Sequence, residues 1–101
     1  MSDTRPALHV SFSEEPARGR FSLLDEAERA LGEMTFRRTA EDLIDVDHTK
    51  VDGSLRGMGA GRLLFDAMVR WAREHGTRVT ASCTFTRSMF ERDPSSRDVL
   101  A

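Results

Sequence analysis

Six residues, Arg56-Gly57-Met58-Gly59-Ala60-Gly61, separate a strand-patterned segment from the longest amphipathic helical segment of the chain. A glycine loop feeding a helix leaves the first backbone N–H groups unpaired and sets the positive end of the helix dipole beside them. Phosphate suits such a place because it offers charge and acceptor oxygens together. Without side chains, the loop backbone can also approach a ligand closely. The loop therefore fixes a strand–loop–helix unit at the middle of the chain and marks it as an anion cradle.

The rest of the pattern fits around that unit. Leu8, Val10 and Phe12 alternate with His9 and Ser11 as in a short strand, and Ser13–Gly19 reads as a turn-rich break. Arg20–Leu24 and Ala30–Arg38 read as second and third strands joined by a polar turn at Asp25–Arg29. Glu41–Val51 reads as a fourth strand, with Ile44, Val46 and His48 on one face and Asp45, Asp47 and Thr49 on the other. Helical spacing runs from Ala60 to His75 and stops at Gly76. Leu64, Met68, Trp71 and Ala72 form its buried stripe, widened by Leu63 and Ala67, while Arg62, Asp66, Arg70 and Glu74 mark the solvated face. Thr77–Ser82 is a fifth strand and Thr84–Arg92 a short helix, ended by Asp93-Pro94-Ser95-Ser96. The order is β-β-β-β-α-β-α. Short turns pair the early strands, and the long helix permits a parallel crossover from the fourth strand to the fifth. The expectation is an α+β (α/β) domain with a mixed, mostly antiparallel sheet, spanning residues 1–101 with a frayed start at Met1–Pro6.

Composition narrows the function classes. A chain of 101 residues, 39% hydrophobic and 32% charged, fits one small globular domain. A net charge of −2, with Lys50 the only lysine, argues against nucleic-acid partners, which need a cationic face. No apolar run approaches the roughly 18 residues that span a bilayer, and the first residues lack a secretory signal pattern. A cytoplasmic protein without a membrane partner is expected. Cys83 is the only cysteine, and His9, His48 and His75 lie far apart, so no metal site is expected.

Two common phosphate loops do not match. A P-loop requires Lys followed by Ser or Thr after its last glycine, and Gly61 is followed by Arg62-Leu63. A dinucleotide fingerprint counted from Gly57 and Gly59 requires glycine where Arg62 stands. What fits is Arg-x-x-Gly-x-Gly after a strand and opening a helix: Arg56, Gly59 and Gly61. This resembles the acetyl-CoA pyrophosphate loop of the GNAT N-acetyltransferase superfamily. His48-Thr49-Lys50-Val51 before the loop, Cys83 with Phe85 after the fifth strand, and Arg92 with Pro94 extend the resemblance to its small single-domain branch, from about Phe21 to Leu100. The chain departs from that branch at Lys50, where Glu is common, and at Asp52, where Pro is common. Phe36 stands where an aromatic hydroxyl is common, and the chain has no Tyr to act as general acid.

The resemblance implies acetyl-CoA as cofactor, held by Arg56, Gly57, Met58, Gly59, Ala60 and Gly61, with the pantetheine between splayed fourth and fifth strands. His48–Val51 and Ala81–Cys83 would flank the acetyl group, with Thr49, Val51 and Phe85 as cofactor contacts, and Arg87 and Arg92 could reach CoA phosphates from the last helix. It implies transfer of the acetyl group to an amine or a protein lysine, with His48 and Cys83 as candidate catalytic residues. An imidazole can take a proton near neutral pH, although a strand histidine can equally be satisfied by a backbone partner. A thiol at a helix start is eased toward thiolate, although free Cys is often a small buried hydrophobe. Asp45 and Asp47 read as a solvated strand face rather than an acid pair. Two alternatives keep part of this reading. A non-catalytic acyl-CoA-binding or sensing module would need the cradle but neither His48 nor Cys83. A thiol redox or acyl-carrier protein would rest on Cys83 alone.

Overall fold

The computed structural model describes residues 7–55 and 57–101. The frayed start expected at Met1–Pro6, and Arg56 of the glycine loop, lie outside the described residues. Five strands form one sheet in sequence order: β1 (His9–Glu14), β2 (Arg18–Leu24), β3 (Ala30–Ala40), β4 (Leu43–Val51) and β5 (Arg78–Ala81). The first four pair antiparallel, and β5 joins β4 in parallel. Helix α1 (Ala60–Glu74) makes the crossover, and α2 (Thr84–Arg92) follows β5. The α+β architecture and its order are those expected.

Element ends shift by a few residues. The break at Ser13–Gly19 narrows to Glu15–Ala17, because β1 and β2 pair as far as Glu14 and Gly19. The turn at Asp25–Arg29 closes through Asp25, whose Oδ1 accepts from the Ala27 and Arg29 N–H groups at 2.9 Å each. Helix α2 ends at Arg92 as expected, and Pro94–Val99 follows as a 3₁₀ helix, capped by the Asp93 side chain accepting from the Ser95 N–H.

The sheet has one covered face and one open face. Paired residues across strands share a face. Phe21 lies opposite Met34, and Phe36 opposite Val46, and all four are buried under α1. Trp71 of α1 packs on Phe36 and Phe21 at centroid distances of 5.5 and 6.0 Å. Leu64, Met68, Trp71 and Ala72 are the buried stripe as expected, with Ala67 packed against it, but the other flanking residue is corrected. Leu63 is exposed, and Phe65 and Val69 are buried in its place because α2 packs on that side, with Phe90 5.0 Å from Phe65. The opposite sheet face carries Ser11, Arg20, Ser22, Glu33, Thr35, Arg37, His48 and Lys50, all exposed or half-buried. No helix among the described residues is long and apolar enough to cross a membrane.

Candidate active site

A single extra residue in β4 decides which side chains reach the site. Thr35 pairs with His48, but its neighbour Phe36 pairs with Val46, so Asp47 is left over as a β-bulge. A bulge exchanges the faces of every residue beyond it. Plain alternation would place His48 with Ile44 and Val46. Instead Thr49, opposite Met34, and Val51, opposite Gly32, continue the covered face. His48 turns to the open face and is exposed. This corrects the expected face of both His48 and Thr49.

Beyond the bulge, β4 and β5 part. Their pairing stops at Val46 and Ala81. The Val46 carbonyl then accepts from both the Ser82 and Cys83 N–H groups at 3.0 Å, which ends β5 and turns the chain into α2. Asp47–Val51 therefore has no β5 partner on that side. On the open face the point of divergence is tied by Asp45. It accepts from Thr80 Oγ1 at 2.7 Å and Ser82 Oγ at 2.6 Å, with the Arg37 guanidinium at 3.5 Å. Asp45 is only 7% exposed, so its reading as solvated surface is corrected. Burial pushes its carboxyl upward, but the Ser82, Thr80 and Arg37 donors outweigh that and hold it below the usual carboxylate range.

The gap opens into a cleft of about 420 Å³ lined by Thr49, Val51, Leu55, Gly57, Gly59, Ala60, Gly61, Arg62, Phe85 and Met89. The three loop glycines have two different reasons to be glycine. Gly57 and Gly59 hold φ of 79° and 71°, in the left-handed region, and open space surrounds each of them. Gly61 is helical, but a Cβ there would stand 2.6 Å from Phe85 Cζ. Gly59 caps α1 with no side-chain acceptor, and no acidic residue stands in the first turn. The Ala60, Gly61 and Arg62 N–H groups thus lack intrahelical partners and lie along the cleft. These features suit a phosphate-bearing cofactor with an apolar arm.

Thr49, Val51, Gly57, Gly59, Ala60, Gly61 and Phe85, all singled out in the sequence, come together here. Met58 packs against the core instead. Arg87 lies outside the cleft, where its Nη2 donates to the Ala81 carbonyl at 3.1 Å. Leu55 and Met89 join the lining without any sequence signal beyond being apolar.

Cys83 is the N-cap of α2 and is 9% exposed, with its Sγ donating to Thr49 Oγ1 at 3.4 Å. Burial works against the thiolate. The Thr49 hydroxyl, the Thr86 N–H and hydroxyl, and the Phe85 N–H outweigh it and lower the thiol's pKa below its ordinary value. His48 and Cys83 stand on opposite sides of the strand gap, one on the open face and one beside the cleft.

Comparison with known proteins agrees with this geometry. The family described as GCN5-related N-acetyl-transferase matches residues 20–99. A GCN5-like protein from Staphylococcus aureus is 34% identical, with a TM-score of 0.70 over 90% of this chain and 87% of that one. Two further solved structures share the fold. A ribosomal-protein-alanine N-acetyltransferase from Brucella melitensis is 16% identical, with a TM-score of 0.66 over 85% of this chain and 90% of its own. An aminoglycoside acetyltransferase from an uncultured soil metagenomic sample, in complex with sisomicin, is 19% identical, with a TM-score of 0.60 over 82% and 59%. No curated protein matches by sequence. With its glycine-capped helix, parted strands and a family match over four-fifths of its length, the chain belongs to the GCN5-related N-acetyltransferase family.

Proposed function

We propose that this N-acetyltransferase uses acetyl-CoA, and that its acceptor is an amine, either free or on a protein lysine, reaching the site from the open sheet face. The parting of β4 and β5 immediately after Val46 and Ala81 carries this reading. It makes an apolar gap that runs from the unpaired N–H groups of the glycine loop to Thr49, whose hydroxyl accepts from Cys83 Sγ. The cofactor, when bound, supplies an acetyl thioester. Ala60, Gly61 and Arg62 N–H groups hold its phosphates, Arg56 adds charge, and Thr49, Val51 and Phe85 orient its arm and exclude water.

The same two faces divide the chemistry. Cys83, eased toward thiolate, is better suited to attack than to donate a proton. Its Sγ takes the acetyl group, a new carbon–sulfur bond forming as the thioester's own breaks and CoA leaves as thiolate. An amine then attacks the acetyl-Cys83 carbonyl, the Cys83 thiolate is released, and His48 accepts the ammonium proton on the open face. The absence of Tyr is no obstacle to this route, because a thiolate leaves at each step. The neighbours named for ribosomal-protein alanine and for aminoglycosides differ widely in acceptor. The open polar face, with no helix over it among the described residues, is consistent with an extended or protein-borne amine.

The test is intact-protein mass after mixing with acetyl-CoA, followed by turnover on a panel of amines and lysine peptides. A hydroxylamine-labile acetyl adduct that disappears in Cys83→Ser, and turnover lost in the same variant, support the proposal. CoA binding without turnover on any acceptor would point instead to an acyl-CoA-binding module.

A further inference from the structure

Thr86 is the one buried side-chain oxygen or nitrogen among the described residues that has no hydrogen-bond partner. It is fully buried, and a buried hydroxyl left unsatisfied is destabilising. Its position explains why it is unpaired. Cys83 is the N-cap of α2, so Thr86 is the third helical residue, and the residue four before it, Ser82, lies outside the helix. The back-bond that a helical threonine usually makes to that carbonyl is therefore unavailable. The Cys83 carbonyl, three residues before Thr86, accepts from the Arg87 N–H at 3.0 Å, and the Thr86 hydroxyl makes no bond to it.

An N-cap side chain faces the N–H groups of the second and third helical residues. Here the cap atom is sulfur, and Phe85 and Thr86 are those residues. While Cys83 carries its proton, Sγ donates to Thr49 Oγ1, and the Thr86 hydroxyl has no acceptor. Once the proton leaves, Sγ becomes an acceptor. The Thr49 hydroxyl can then turn to donate to it, and so can Thr86. We propose that Thr86 is a positioning residue for Cys83, whose hydroxyl is unpaired beside the thiol and gains its partner only when the sulfur is a thiolate. Such a group favours the charged form selectively, because it is satisfied in one protonation state and not in the other.

The groups acting on the sulfur are neutral dipoles from β4 and α2. Of the charged or titratable residues on those elements, His48 and Lys50 lie on the open face, Asp45 and Asp47 pair with Arg37, Arg87 donates to the Ala81 carbonyl, and Glu91 and Arg92 are exposed. Arg62, across the cleft on α1, pairs with Asp66 and Asp93. A hydroxyl rather than a charge thus tunes this site.

The inference rests on the reading of Cys83 as a reacting thiolate, but its test needs no cofactor. Cys83 is the only thiol, so alkylation by iodoacetamide across pH reports it alone. Thr86→Val keeps the shape and removes the hydroxyl. Its alkylation profile is expected to move to higher pH, with the rate on the rising limb down about three- to tenfold. Thr86→Ser should restore the wild-type profile, and Thr86→Ala should behave as Thr86→Val. Thermal stability of Thr86→Val should be unchanged or raised, since an unpaired hydroxyl is gone. A wild-type profile in Thr86→Val or Thr86→Ala, or a Thr86→Ser profile displaced as far as that of Thr86→Val, would overturn the proposal. A displaced profile in a protein that transfers no acetyl group would retain the thiolate device and reject the transferase reading.

Discussion

A methyl group on Gly61 would stand 2.6 Å from the tip of the Phe85 ring. The tip of the ring therefore abuts the backbone of the first turn of α1, and Phe85 forms one wall of the cleft. Gly61→Ala should push Phe85 into the gap. CoA affinity is expected to fall roughly tenfold, with a stability loss of about 1–3 kcal/mol. Titration calorimetry and chemical denaturation measure the two effects, and unchanged affinity would show that Phe85 has room to move aside.

Gly57 and Gly59 should respond differently, because their need is conformational. Each holds a left-handed φ in open space. Replacement by Ala is expected to cost about 1–2 kcal/mol at each position, and replacement by Asn less, since Asn tolerates that region. Equal costs for Ala and Asn in denaturation curves would count against strain as the reason for these glycines.

Asp45 ties β4 to β5 at the point of divergence. Asp45→Ala leaves the Thr80 and Ser82 hydroxyls without their acceptor, at an expected cost of about 1–3 kcal/mol. Its carboxyl is held below the usual range in the folded protein. Ionised Asp45 therefore stabilises the fold above the ordinary aspartate value, about 3.9, and this contribution is lost as pH falls through the lower folded value. Denaturation midpoints across acidic pH should fall less steeply in Asp45→Asn than in wild type.

His48 projects away from the cleft, so its removal should separate binding from turnover. His48→Ala is expected to leave the dissociation constant for CoA unchanged while lowering amine turnover about 10²-fold. A similar rate loss with weakened CoA binding would place its role on the cofactor side instead.

The position of the glycine loop at the start of α1 was legible because its signals are local. Left-handed φ, a missing side-chain cap and a helix start are written in consecutive residues, and so were the strand order and α2 at Thr84–Arg92. Asp45 was misread because its cover comes from Thr80 and Ser82, some 35 residues on, and from Arg37 on the neighbouring strand. The buried flank of α1 was misassigned for the same reason. Leu63 and Phe65 border the same stripe, and only the placement of α2 selects Phe65.

Periodicity and turn chemistry, which act over a few residues, thus determined the elements, their order and the glycine loop that caps α1. The tertiary structure decided which face of β4 meets the cleft. One unpaired residue, Asp47, reverses the alternation, and whether a strand bulges depends on the partner strand's register rather than on its own pattern. The same pairing in space put the Thr49 hydroxyl beside Cys83 Sγ, a contact between two elements that is invisible along the chain.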